Sequence, residues 1–148
     1  MKLIIPKIVE KLNLSDYAKE FGDQTMDVWV NPDKEVGEMH DRNIERTNLI
    51  INKLIELKAE RQSKGEKWFE DVGKGLQAEF LANLEAADKK AKEWYSIIWS
   101  QGEDETRVTI EEVSKLAETA KESDPMFFRW ICEKTIDMIV AHRVNRKN

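Results

Sequence analysis

The sequence predicts a mainly α, single-domain helical protein with a short N-terminal β element. Its 148 residues include only six glycines and three prolines, while 36% are charged, a composition typical of soluble helical proteins. Apolar residues also recur at helical spacing through most of residues 34–148, whereas the clearest strand pattern lies before them. We therefore expect a short β and turn segment over residues 1–33 and a helical body over residues 34–148 of one domain.

The β element is predicted from two short runs near the N-terminus. Residues 2–5 are apolar and precede Pro6, which confines a strand there to an edge or an end. Residues 26–30 alternate in pattern, and Asn31 and Pro32 end the run. We expect these two runs to pair as a ribbon. A short helical turn closed by Gly22 is predicted between them.

Two long helices are predicted in the middle of the chain. The first covers residues 35–62, and its apolar side chains follow the i, i+3, i+4, i+7 rule. The face that we expect to be buried contains Ile44, Thr47, Ile51, Leu54 and Ile55. A break at residues 63–65 and a short helix over residues 66–72 follow. The glycines at positions 73 and 75 are predicted to end that helix before a second long helix over residues 76–100.

Two capped helices follow. Thr109 and Glu112 have the spacing of a capping box, so a helix is predicted to begin here. Asp124 and Pro125 then provide an N-cap and a first-turn proline for the closing helix, residues 124–144. Because this helix is apolar on all but one narrow stripe, we expect the other helices to bury it.

Several classes of function are disfavoured by composition. The net charge of −5 gives no general electrostatic case for binding nucleic acid, and the closing helix is too apolar to be a recognition helix. No stretch approaches the ~20 apolar residues that cross a membrane. The single cysteine excludes an intramolecular disulfide framework.

No catalytic motif is found, so we expect neither an enzyme nor a cofactor. His40 and Asp41 are adjacent, point apart on a helix and have no third ligand nearby, so no metal site is expected. Cys132 lies on an apolar helix face without a base beside it, which favours a buried structural role. The stretch at residues 73–75 lacks the spacing and trailing hydroxyl of a phosphate loop.

The five tryptophans provide the candidates for partner binding. Alternation places Trp29 on the polar face of its strand, and Trp68 lies in a short segment next to glycines. Exposed aromatic side chains at such joints are typical of protein interfaces. Half-buried packing under the helices is the alternative for both aromatic sites. The predicted partner-binding residues are Trp29, Asn31, Pro32, Trp68 and Phe69.

Two stretches are similar to the phage tail assembly chaperones. Residues 14–32, LSDYAKEFGDQTMDVWVNP, resemble the start of these proteins in having a short helical turn followed by a strand. Residues 94–136 resemble their later half. The shared features there are a tryptophan-bearing helix, an acidic loop, a threonine-capped helix and an apolar closing helix.

The resemblance implies a non-enzymatic protein of the host cytoplasm that is absent from the mature virion. It also implies that the chain binds and solubilises the tape measure protein and helps to recruit subunits of the major tail tube protein. A homo-oligomer fits this role, whereas nucleic acid and membranes are not expected partners. One other class stays open, a small acidic inhibitor or regulator that targets a host protein or mimics nucleic acid. Lysines and arginines are interleaved with the acidic residues and interrupt any phosphate-like spacing of carboxylates, which counts against the nucleic-acid mimic.

Overall fold

The computed structural model describes residues 3–100 and 108–147 and confirms a mainly α protein, 78% helical with a short two-stranded sheet. The predicted acidic loop falls in residues 101–107, outside the described residues. The elements are β1 (Val9–Asn13), β2 (Thr25–Trp29), α1 (Lys34–Lys64), α2 (Glu66–Trp68), a π turn (Phe69–Gly73), α3 (Lys74–Trp99), α4 (Ile110–Ser123) and α5 (Pro125–Lys147).

The chain divides into two compact units. One comprises Met1–Val36 and Lys92–Asn148, and the other comprises Gly37–Ala91. We call them the first unit and the hairpin unit. A single domain over residues 1–148 stays a prediction.

The β ribbon is present, but its first strand lies later in the chain than predicted. β1 pairs antiparallel with β2, with Val9 opposite Trp29 and Asn13 opposite Thr25. The predicted strand at residues 2–5 is wrong, since described residues 3–5 lie outside the sheet and are at least 75% exposed. The reason is the hydrogen bond that closes the turn between the two strands. The backbone N–H of Leu14 donates to the carbonyl of Gln24 at 3.1 Å, so the residues just before Leu14 are the ones that meet β2.

The turn between the strands consists of two 3-10 segments, Leu14–Asp16 and Lys19–Phe21. Gly22 closes the second segment, as the sequence predicts. Its φ is +58°, a left-handed conformation that favours glycine, and its N–H donates to the carbonyl of Lys19 at 3.0 Å.

The core of the first unit contains buried indoles whose N–H groups have acceptors. Trp94 is 2% exposed, and its Nε1 donates to the carbonyl of Val36 at 2.8 Å. Trp99 Nε1 donates to the Thr135 hydroxyl at 3.0 Å, and that hydroxyl donates to the carbonyl of Ile131 at 2.7 Å. Because each buried polar atom is paired, these large side chains bury apolar area without a desolvation penalty.

An aromatic cluster packs the N-terminal turn against the start of α5. The Tyr17 ring lies 5.2 Å from the rings of both Phe127 and Trp130, and Phe21 stacks on Phe127 at 4.7 Å. The Tyr17 hydroxyl donates to Asp124 Oδ2 at 2.6 Å. This hydrogen bond, with burial adding to it, raises the pKa of Tyr17.

Both predicted caps are confirmed. The Thr109 hydroxyl accepts the N–H of Glu112 at 3.1 Å, and Asp124 Oδ1 accepts the N–H of Met126 at 3.2 Å. The expectation that one narrow stripe of α5 is exposed is too strict. Val140 and Val144, four residues apart towards the C-terminus, are 49% and 52% exposed.

The hairpin unit is an antiparallel pair of helices. Asn43 Nδ2 donates to the carbonyl of Lys90 at 3.3 Å, which places the early part of this unit's α1 beside the late part of its α3. Buried side chains recur on α1 at seven-residue intervals, through Asn43, Ile50 and Leu57, facing Ala87 of α3. This seven-residue spacing is typical of a coiled-coil seam.

The predicted end of a helix at positions 73 and 75 is wrong. Helical backbone continues from α2 through the π turn into α3, and Lys74 has φ −62° and ψ −41°. Gly73 serves packing instead. A Cβ added there would lie 2.8 Å from Cδ2 of Phe69 and 3.0 Å from Cζ3 of Trp68, so only glycine lets both rings lie over the backbone. The predicted break at residues 63–65 is confirmed, because α1 ends at Lys64 and Gly65 has φ +92°.

Candidate functional site

The hairpin unit carries an exposed row of large aliphatic side chains, which we call the aliphatic row. Its members are Ile44, Ile51 and Ile55 of α1 and Leu81 of α3, exposed by 47%, 40%, 61% and 49%. The sequence pattern predicts the three isoleucines to be buried, and for them this is wrong. The buried residues are instead Ile50 and Leu57. Ile50 is one position before Ile51, and Leu57 is two positions after Ile55. One residue is about 100° of rotation on a helix.

The members of the aliphatic row lie on one side of the hairpin. Ile44, Ile51 and Ile55 are separated by seven and four residues, which places them on one side of α1. Thr47 lies next to that side and lines a shallow groove of about 520 Å³ together with Leu81 and Leu84 of α3. Glu85 and Asp88 of α3 also line this groove. The result is an apolar surface with an acidic border, suited to the apolar face of a helix with basic flanks.

A different side of the hairpin has basic character. A groove of about 580 Å³ there is lined by Arg42, Arg46 and Lys53, with Leu49 among them. Lys53 Nζ lies 5.7 Å from the ring centre of Phe80. Leu49 is 58% exposed, so this side offers an aliphatic side chain for comparison with the aliphatic row.

The end of the hairpin contains two of the predicted partner-binding residues. Phe69 is 6% exposed and lies under the Arg61 guanidinium, whose Cζ is 3.7 Å from the ring centre. Arg61 is held there by two hydrogen bonds to Glu66, at 2.8 and 2.7 Å. Trp68 is half-buried, and Lys64 Nζ lies over it, 4.8 Å from the ring centre. Packing under neighbouring side chains, the alternative for these rings, is therefore what the structure shows. Partner binding by either ring stays a prediction.

The other three predicted residues line one groove in the first unit. Trp29, Asn31 and Pro32 surround a volume of about 620 Å³ together with residues of α5. Trp29 shares its strand face with Asn31, whose Oδ1 accepts its Nε1 at 3.0 Å, but Trp29 is 5% exposed, so the exposure expected of this ring is wrong. Val28 and Val30 are buried as well, which means that both faces of the strand are covered here. Burial does not test whether these residues contact a partner.

Basic side chains border this groove, which we call the basic groove. Lys7, Lys34, His142 and Arg143 are among its lining residues, and Asp33 is the one acidic residue among those lining residues that the structure describes. Lys7 Nζ lies 4.7 Å above the ring of Trp29. No pattern in the sequence joins these four basic residues, because the fold brings them together from three separate parts of the chain.

His40 and Cys132 lie in partly buried surroundings. Burial lowers the pKa of His40, and the neighbouring Asp41 opposes this shift. Cys132 is half-buried, and burial raises the pKa of Tyr95, with contributions from Cys132 and Glu133. Among residues 3–100 and 108–147, no three histidine, cysteine or carboxylate side chains are placed to hold a metal ion. No helix within the same ranges is long and apolar enough to cross a membrane.

Comparison with known proteins gives no match: no protein-family model, no curated protein and no solved structure matches this chain.

Proposed function

We propose that this protein is a non-enzymatic assembly chaperone that binds apolar helices through the aliphatic row. The single observation that carries the proposal is that Ile44, Ile51 and Ile55 share one side of α1, beside a groove that Leu81 lines with Thr47. Each member of the row is at least 40% exposed. Large aliphatic side chains exposed along one side of a helix are typical of a protein interaction site, and their elongated arrangement suits a helix.

The energetics fit a reversible contact. Covering the exposed half of one isoleucine or leucine contributes about 1 kcal/mol, so the row contributes roughly 4 kcal/mol before the costs of association. That amount does not exceed the cost of association, about 4–15 kcal/mol, so contacts beyond the row must add to it. The resulting complex is weak, which suits a chaperone that releases its client when assembly proceeds.

The resemblance to phage tail assembly chaperones supports a specific client. We propose that the chain binds the tape measure protein, keeps its apolar helices in solution, and helps to recruit the major tail tube protein. In this proposal it acts in the host cytoplasm and is absent from the mature virion. Its net charge of −5 favours solubility while it carries an apolar client.

Co-expression with a tape measure protein from the same genome tests this function. We expect the tape measure protein to be insoluble alone and to be recovered in a soluble complex when the chain is present. The measurement is the amount of soluble tape measure protein that co-purifies with the chain at low and high salt. Contacts made through the aliphatic row should persist at high salt, because they do not depend on charge.

Two results would count against the proposal. Equal amounts of soluble tape measure protein with and without the chain would remove the chaperone function. A complex that dissociates as salt rises would point to contacts between charges, which is the behaviour expected of the acidic inhibitor or regulator.

A further inference from the structure

The basic groove is a concave site that the proposed chaperone function does not use. It lies in the first unit, and its volume of about 620 Å³ is within the range of known ligand pockets, roughly 300–1,000 Å³. Its wall is fixed by Asn31. The Oδ1 of this residue accepts the N–H of Ile8 at 2.7 Å and Nε1 of Trp29 at 3.0 Å, while its Nδ2 donates to the carbonyl of Pro6 at 2.9 Å. A wall held by three hydrogen bonds keeps its shape before a ligand arrives.

The charge of the groove opposes that of the whole protein. Lys7, Lys34 and Arg143 line it in a chain whose net charge is −5. Within the described part of the chain, the acidic lining residue is Asp33, which accepts the N–H of Val36 at 2.9 Å and so caps α1. A carboxylate committed to a helix N-terminus is stabilised where it is and offsets only part of the positive charge. The groove therefore favours an anionic ligand.

His142 gives an independent indication of a ligand. Its Nε2 is buried and has no hydrogen-bond partner. Buried polar side-chain atoms are nearly always paired, and leaving one unpaired costs about 1–3 kcal/mol. A neutral imidazole with its proton on Nε2 donates one hydrogen bond there, and a carboxylate oxygen is a strong acceptor for it.

The rest of the lining is apolar. Ile5, Pro6 and Pro32 supply hydrocarbon surface beside the basic side chains, and the buried side chains of Trp29 and Val30 lie behind it. A small inorganic anion would pair with the charges and leave this surface uncovered. The ligand should instead carry both carboxylates and apolar groups. It should also be long enough to fill an open groove.

We propose that the basic groove binds an acidic peptide segment in which carboxylates alternate with apolar side chains. Arg143 donates to its carboxylates, His142 Nε2 does so once its side chain turns from its buried position towards the groove, and the apolar side chains cover Ile5 and Pro32. Lys7 and Lys34 make further contacts of their own, so the largest effects are expected at Arg143 and His142. This inference is independent of the aliphatic row, which lies in the hairpin unit.

Titration with defined peptides tests the site. The probe is a hexapeptide of alternating glutamate and leucine with blocked ends, added to the ¹⁵N-labelled full chain at 50 mM salt. We expect amide shifts at Asn31, Lys34 and Arg143, and a dissociation constant that Arg143→Glu raises by about tenfold or more. His142→Phe should also weaken binding. Lys134→Glu, an exposed change elsewhere on α5, should alter the constant less than twofold.

Each alternative result overturns the proposal. A peptide in which glutamine replaces glutamate should bind at least about tenfold more weakly, and equal binding would mean that charge is not recognised. Inorganic phosphate that binds as tightly as the peptide and gives the same amide shifts would show a general anion site. Equal weakening by Arg143→Glu and Lys134→Glu, or no shifts among the groove residues, would place the peptide elsewhere.

Discussion

Replacing Trp94 with alanine is expected to lower the free energy of unfolding by about 3–5 kcal/mol, the typical cost of removing a buried aromatic side chain. The indole is 2% exposed and packs edge-on against Tyr95 at 5.0 Å. The change leaves a cavity in the first unit. It also removes the hydrogen bond from Nε1 to the carbonyl of Val36.

Urea unfolding followed by circular dichroism measures the effect of this change. A slope of about 2 kcal/mol per molar urea would lower the midpoint by roughly 2 M. Trp94→Phe keeps most of the apolar volume and loses the N–H donor, so its midpoint should lie between those of the wild type and the alanine variant. An alanine variant that unfolds at the wild-type midpoint would show that Trp94 is not a core residue.

Replacing Gly73 with alanine is expected to destabilise the protein by about 1–3 kcal/mol, the usual cost of overpacking. Alanine is the better helix former by about 1 kcal/mol, yet here its Cβ would lie 2.8 Å from the Phe69 ring and 3.0 Å from the Trp68 ring. Both rings are held by neighbours, Phe69 under Arg61 and Trp68 under Lys64. They cannot move aside without losing those contacts.

Gly75→Ala is the matched control for Gly73→Ala. No atom lies within 4 Å of the Cβ position at Gly75, which is exposed in α3, so this change should stabilise the protein by about 0.5–1 kcal/mol. The measurement is the difference in unfolding midpoint between the two variants, which should move in opposite directions from wild type. If both variants are stabilised, the close packing of the rings over Gly73 is contradicted.

The features predicted correctly from the sequence rest on local signals. Gly22 and Gly65 mark where a turn and a helix end, through their backbone conformations. Thr109 and Asp124 mark where helices begin, through their side-chain hydrogen bonds. Such signals depend on residues within a few positions of each other. The sequence therefore contains all the information needed to place them.

The first strand and the buried face of α1, both predicted wrongly, depend on distant partners. The partner of β2 is set by the closure of a turn, and periodicity within residues 2–5 does not report it. On α1, Ile50 and Leu57 form one apolar series while Ile44, Ile51 and Ile55 form another. The position of α3 decides which series is buried. The apolar periodicity of α1 does not report that position, and it predicted burial of the wrong series. The basic groove likewise combines residues from both ends of the first unit, and no spacing links them.

The comparison of Ile55→Glu with Leu49→Glu tests the central claim most directly. Both side chains lie on α1 and are similarly exposed, 61% and 58%, but only Ile55 belongs to the aliphatic row. Each variant is co-expressed with the tape measure protein, and the soluble complex is quantified after circular dichroism shows that the variant is folded. Burying an unpaired carboxylate against an apolar client is costly, so Ile55→Glu should reduce the complex at least about tenfold, while Leu49→Glu retains most of it. Equal recovery of the complex with both variants would contradict binding through the aliphatic row.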